Sequence, residues 1–179
     1  FFDRYGNWET VGACEAVESE YRDRYLFTDA ADPAAAACAG GQNYRGFAGI
    51  STLPQQDTAG ESVMDDWLDP DTGLASMWRR IPGVDGWRID TVADVSAVYP
   101  RFFQPFREVT KAANPDALLI SETWRESDVF AHVLGDEFDS TMNYRFANAV
   151  LGFLRDSTFT ETGDGEITPL TAEEFEATL

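Results

Sequence analysis

The strongest constraint on the fold is an alternation of two apolar periods in the second half of the chain. Gly86-Trp87-Arg88-Ile89-Asp90-Thr91-Val92 is a short β-rich run, and Ala117-Leu118-Leu119-Ile120-Ser121 is the nearly unbroken apolar run of a buried strand. Between them, residues 99–113 carry helical spacing and end at Asn114-Pro115. The cycle repeats, with a helical pattern over 128–134 and a strand-like stretch over 137–142. A helix over 144–155 then carries Phe146, Val150, Leu151 and Leu154. Strands separated by helices of this length form parallel βαβ units, so the class is α/β. Strands this few do not close an eight-stranded barrel, which takes about 250 residues. The pattern fits roughly half of one, with a small doubly wound domain as the structural alternative.

Upstream, residues 62–67 and 72–81 place Val63, Met64, Trp67, Leu74, Met77, Trp78 and Ile81 at helical spacing on either side of an Asp69-Pro70 turn, with a stop at Pro82-Gly83. Residues 1 to 60 read as irregular, with an Asp32-Pro33-Ala34-Ala35-Ala36-Ala37 run and a Gly40-Gly41 pair. Cys14 and Cys38 are the only cysteines, so one disulfide is open to the chain and a disulfide framework is not. The single His132 has no zinc-spaced companions, reads as a surface or core histidine, and receives no role. The chain opens without Met and closes inside a helical pattern at Glu174-Phe175-Glu176-Ala177-Thr178-Leu179, which leads us to expect a piece of something longer. No run of 18 apolar residues is present, so no membrane-spanning helix is expected, and cytoplasmic and secreted locations both stay open.

Thirty-two acidic residues against thirteen cations give a formal charge of -19. That charge argues against nucleic-acid and anionic-membrane partners. Lys111 is the only lysine. An acid-rich, lysine-poor surface suits salty solvent, where a Debye length of about 3 Å at 1 M screens self-repulsion. We therefore expect a high-salt source, with an ordinary acidic protein as the alternative. Apolar residues at 44% exclude disorder as the main state.

In parallel α/β folds the chemistry gathers at the carboxyl ends of strands. Asp90 ends the first strand and Glu122 follows the second, so neighbouring strands would present two carboxylates at one rim. Such a pair suits glycoside hydrolysis, in which one carboxylate attacks the anomeric carbon and the other protonates the leaving oxygen. Arg88, two residues before Asp90, shares its face and would hold it ionised. Trp124 would offer a sugar ring an apolar platform. On the residues alone, helix caps and solvated carboxylates remain the competing explanation.

The words around these residues go further. Gly83-Val84-Asp85-Gly86-Trp87-Arg88-Ile89-Asp90-Thr91-Val92-Ala93-Asp94 resembles the fourth-strand motif of glycoside hydrolase family 13, the α-amylase family, and Leu119-Ile120-Ser121-Glu122-Thr123-Trp124 its fifth-strand motif. Phe138-Asp139-Ser140-Thr141-Met142-Asn143-Tyr144 is similar to the sixth-strand segment of the neopullulanase, cyclomaltodextrinase and maltogenic amylase branch. The opening Phe2-Asp3-Arg4-Tyr5-Gly6, the Val11-Gly12-Ala13-Cys14 stretch, and Tyr44-Arg45-Gly46-Phe47-Ala48-Gly49 leading to Leu53-Pro54 resemble the same branch.

The resemblance implies a partial (β/α)8 barrel, about strands four to six over residues 61–179, preceded by an irregular inserted subdomain over 1–60. It implies a retaining mechanism on starch-like α-glucans, pullulan or cyclodextrins. Asp90 would be the nucleophile, Glu122 the acid and base, and Arg88 the arginine beside the nucleophile, with the carboxyl groups about 5 to 5.5 Å apart. Asp94, Trp124, Asn143 and Tyr144 would contact substrate, Asp94 standing where the branch usually carries Glu. No cofactor is required, and Ca2+ is open because the family's inserted domain often holds it through oxygen ligands. Arg125 stands where His is common, and Leu53-Pro54-Gln55-Gln56-Asp57 is only loosely like the branch's Met-Pro-Lys-Leu-Asn. The family's third-strand motif and its later motif with a third carboxylate have no counterpart here, so an incomplete catalytic domain is expected. Two other readings compete: a non-catalytic carbohydrate-binding or transporter-associated relative of the barrel, and an unrelated acidic α/β binding domain.

Overall fold

The structure is a computed structural model that describes residues 11–28, 38, 43–77, 81, 83–161 and 165–178. Its elements in chain order are α1 (Glu61–Leu68), α2 (Leu74–Met77), β1 (Gly86–Ile89), α3 (Val92–Val98), α4 (Phe103–Ala113), β2 (Leu118–Ser121), α5 (Glu126–His132), β3 (Ser140–Thr141), α6 (Tyr144–Leu154), β4 (Phe159–Glu161), β5 (Gly165–Ile167) and α7 (Ala172–Thr178). The first three strands form one parallel sheet in the order β1-β2-β3. This is the expected βαβ succession, with helices returning the chain between parallel strands. Register runs from Gly86 beside Leu118 to Ile89 beside Ser121. Gly86 is required there because a Cβ would stand 2.0 Å from the Leu118 carbonyl oxygen.

The core lies between this sheet and α4, whose buried Phe103, Phe106 and Thr110 recur at helical spacing along one face. The two phenylalanines share a cluster with Leu119 of β2, Val92 of α3, Ala75 of α2 and Phe138. Phe106 meets the rings of Trp67, Trp87, Phe102 and Phe103, and the Phe103 ring centroid lies 4.9 Å from Phe138 and 5.3 Å from Phe102. At the far end, α7 begins with a capping box: Glu174 Oε2 accepts from the Thr171 N–H at 2.8 Å, and Thr171 Oγ1 accepts from the Glu174 N–H. Phe175 of α7 stacks on Phe153 of α6.

The described residues between 11 and 60 are irregular, as expected. They are joined by isolated antiparallel bridges between Tyr25 and Gln56, Phe27 and Tyr44, and Gly46 and Pro54. Cys14 and Cys38 are disulfide-bonded. Arg24 ties the segment to α1 through Asp66 at 2.7 Å. The opening motif at residues 2–6, the alanine run and Gly40-Gly41 lie outside the described residues.

Several boundaries differ from the sequence reading. The β1 strand ends at Ile89 rather than Val92, because Thr91 adopts a left-handed backbone (φ 46, ψ 46) and Val92 opens α3. Val92 looks like strand by type yet is fully buried on a helix. Only Ser140 and Thr141 pair as β3, since Glu137 and Phe138 are buried ahead of the ladder instead of joining it. The α5 helix spans 126–132, two residues upstream of the expected range. The α2 helix starts at Leu74 because Asp69 Oδ1 accepts from the Asp71 and Thr72 N–H groups and holds a turn there. Residues 78–80 and 82 lie outside the described residues. The antiparallel β4–β5 pair was not foreseen. No helix among the described residues is long and apolar enough to cross a membrane.

Candidate active site

Because β1 and β2 run parallel and in register, their carboxyl ends lie side by side, and the next residues of both strands are Asp90 and Glu122. The Glu122 N–H donates to the Ile89 carbonyl at 2.8 Å, carrying the ladder one residue past the strands. Glu122 is 7% exposed, so its carboxylate must be paired. It is paired on both oxygens. Oε2 accepts from the Thr91 N–H at 2.9 Å, and Oε1 takes the Tyr144 hydroxyl at 2.9 Å and Arg88 Nη2 at 2.7 Å. The left-handed turn at Thr91 aims that N–H at Glu122 (φ 46).

Arg88 is the hub. Its Nη1 pairs with Asp90 while Nη2 pairs with Glu122, so one guanidinium spans both carboxylates. Its Nε and Nη2 also lie 3.3 Å from Met142 Sδ at the end of β3. All three strands thus contribute to one polar cluster.

Burial pushes the Glu122 carboxyl upward, but hydrogen bonds from the Thr91 N–H, Trp124 and Tyr144 outweigh it and hold it down to about 2. Burial also works against the Arg88 charge, and its two carboxylate partners reverse that and raise its pKa. Tyr144 is raised by burial and by its carboxylate acceptor, so it stays a hydrogen-bond donor.

A groove of about 310 Å3 opens over Glu122, bordered by Thr91, Asp94, Trp124, Phe47 and Ala48. Trp124 stands edge-on to Phe47, ring centroids 6.2 Å apart. Asp94 lies in the first turn of α3, and its carbonyl accepts from Gln55 Nε2 at 3.2 Å. Asp90 faces a neighbouring space of about 470 Å3 shared with Pro54 and Gln55. The structure therefore brings Arg88, Asp90, Glu122 and Tyr144 into direct contact and sets Trp124 and Asp94 on the groove. Asn143 borders a neighbouring cavity with Trp124 and Tyr144, and its Oδ1 accepts from the Phe146 N–H at 2.9 Å and caps α6.

Sequence reasoning passed over Met142, Thr91 and Phe47. Met142 and Phe47 lie within quoted motifs, but nothing in residue type signals a thioether under a guanidinium or an aromatic edge from a distant loop. His132 is a core histidine, Nδ1 2.6 Å from Glu137 Oε2. Among the described residues no group of three or more His, Cys, Asp or Glu is placed to hold a metal ion. Much of the segment to which the Ca2+ expectation applied lies outside them.

Parallel strands alternating with helices, with polar groups gathered at the strands' carboxyl ends, define an α/β unit of the kind that (β/α)-barrels and doubly wound folds share. The family model for the alpha amylase catalytic domain matches residues 40–178, and the chain belongs to that family. It is 41% identical over 110 residues to a cyclomaltodextrinase of a Bacillus species, an alignment covering 62% of this chain and 18% of that protein. It is 35% identical over 138 residues to neopullulanase 2 of Thermoactinomyces vulgaris, covering 76% and 20% respectively. Among solved structures, Ttha1563 from Thermus thermophilus superposes with a TM-score of 0.73 at 34% identity, over 93% of this chain and 34% of that one. The chain thus spans about a fifth of the length of the curated relatives it matches.

Proposed function

We propose that this chain carries the nucleophile and the acid/base of a retaining glycosidase that cleaves α-glucosidic bonds in starch-like glucans, pullulan or cyclodextrins. It would act as an incomplete catalytic domain, strands four to six of the barrel over residues 61–179, with residues 1–60 as the inserted subdomain. The observation that carries this reading is the single Arg88 guanidinium spanning Asp90 and Glu122 at adjoining strand ends. The names of the relatives support the substrate class.

In the mechanism, an Asp90 oxygen attacks the anomeric carbon as the glycosidic C–O bond breaks, and Glu122 gives its proton to the departing oxygen. Water then attacks the same carbon, returns a proton to Glu122 and frees Asp90, so configuration is retained. Glu122 is held as a carboxylate in the free site, whereas the first step needs it protonated. Sugar entering the groove strips water from Glu122 and competes for its donors, which moves its pKa up toward the acid role. Asp139 does not stand in for a third carboxylate: it is bound by Arg107 and Lys111, both at 2.8 Å, and by the Leu119 N–H. The excess of acidic side chains supports work in high salt, and thermal stability should rise on going from dilute buffer to molar salt.

The test is hydrolysis of pullulan and cyclodextrin in molar salt by the full-length protein. Asp90→Asn and Glu122→Gln should each lower turnover by about a thousandfold or more with folding near normal, and the first sugar released should be the α-anomer. Near wild-type turnover by either variant would refute the roles. An intact protein that binds α-glucan without cleaving it would be the non-catalytic relative.

A further inference from the structure

Arg88 bridges the two carboxylates, and its third partner is a thioether. Its Nε and Nη2 each lie 3.3 Å from Met142 Sδ. The Met142 backbone is fixed on both sides: its N–H donates to the Ser121 carbonyl at 2.9 Å, and its carbonyl accepts from the Tyr144 N–H at 3.1 Å. A thioether is a weak acceptor, so the sulfur packs against the guanidinium without drawing Nη1 and Nη2 away from Asp90 and Glu122. Met142 is half-buried and borders a cavity of about 420 Å3, which admits a molecule the size of two waters. The other two methionines of the chain, Met64 and Met77, lie on α1 and α2.

We propose that Met142 is an oxidation site through which a peroxide reversibly disables the carboxylate pair bridged by Arg88. The inference rests on the glycosidase reading above and adds a control to it. In the step, a lone pair of the Met142 sulfur attacks one oxygen of hydrogen peroxide, an S–O bond forms and the O–O bond breaks. Sulfur is oxidised by two electrons to the sulfoxide. The peroxide is reduced to water, the departing hydroxide taking the proton of the transferred oxygen. With the sulfur already 3.3 Å from two Arg88 nitrogens, an oxygen added on that side fits only if the guanidinium or the thioether moves. Either way the guanidinium meets a far stronger acceptor than sulfur, which competes with Asp90 and Glu122 for its N–H groups. Met142 thus acts through Arg88 as a positioning residue, and a misplacement of about 1 Å in such a cluster can cost about a hundredfold in rate. Methionine sulfoxide reductases return the sulfoxide to the thioether, so the change is reversible.

The test treats the full-length protein with hydrogen peroxide, follows cyclodextrin hydrolysis and melting temperature, and locates the sulfoxide by peptide mass mapping. Oxidation should lower the kcat/KM of the parent about tenfold or more and move the basic limb of its rate profile to higher pH, as Glu122 loses a neighbouring cation. Methionine sulfoxide reductase should restore both. Met142→Leu, whatever its untreated rate, should keep that rate under peroxide to within about twofold, whereas Met77→Leu should lose activity as the parent does. The parent should also melt several degrees lower after oxidation, with a smaller drop in Met142→Leu, a shift that reads the Arg88 cluster independently of hydrolysis. An equal loss of activity in parent and Met142→Leu would overturn the proposal and leave the glycosidase reading standing. So would a fully active parent that carries the Met142 sulfoxide, or activity lost while Met142 stays unoxidised. A parent that hydrolyses nothing before treatment would instead remove the functional reading, and the difference in melting shift between parent and Met142→Leu would then decide the oxidation site.

Discussion

Asp139 offers the sharpest test of the forces that hold the strands beneath the site. Its backbone N–H donates to the Leu119 carbonyl, and its Oδ2 accepts from the Leu119 N–H, each at 2.9 Å. Arg107 and Lys111 of α4 reach its two oxygens at 2.8 Å, and the carboxylate is 22% exposed. Burial raises its pKa, but the Lys111, Leu119 and Arg107 hydrogen bonds win and lower it from 3.8 to about 2. That difference corresponds to about 2.5 kcal/mol of stability from the ionised form. A folded pKa below the unfolded one places this contribution above the unfolded pKa and removes it as pH falls through the folded one. Linkage then leaves about 1.3 kcal/mol at pH 3 and under about 0.5 kcal/mol at pH 2. Asp139→Asn keeps the shape but not the charge, so it should cost about 2 kcal/mol near neutral pH, and the gap from wild type should close over that acid window. Paired urea unfolding curves at several pH values measure this directly. A cost below about 0.5 kcal/mol at neutral pH, or a cost as large at pH 2.5 as at neutral pH, would refute the argument.

Other outcomes follow from the same contacts. Gly86→Ala drives a methyl group into the Leu118 carbonyl, so it should break the β1–β2 register and cost more than about 3 kcal/mol, read as loss of a cooperative thermal transition. Tyr144→Phe removes one donor from Glu122, so the pKa of that carboxyl should rise toward the ordinary range; because Glu122 must be protonated in the first step, the basic limb of the rate profile should move to higher pH while folding is unaffected. In molar salt the melting temperature should rise by several degrees over dilute buffer, and a flat or falling salt dependence would count against the high-salt reading.

The sequence by itself determined the α/β class, the parallel strand succession, and the placing of Asp90 and Glu122 at one rim. Those features are written in local periodicity and in the residue that follows each strand, and both survive without knowledge of long-range contacts. Arg88 was legible as a partner of Asp90 because two residues along a strand share a face. Its second bond to Glu122, the Met142 sulfur beside it and the Tyr144 hydroxyl beyond were not, because they join residues 22 to 54 positions apart. They exist only once strand order and register are set. The end of β1 was misread for a related reason. A β-branched Thr-Val pair favours strand, and only the Glu122 carboxylate waiting on the neighbouring strand makes a left-handed Thr91 worth its cost. Asn143 carries a task the motif did not show: its oxygen caps the start of α6. Tertiary structure alone decided which carboxylate is buried, because the strand order and register let the rim enclose Glu122 and leave Asp90 exposed.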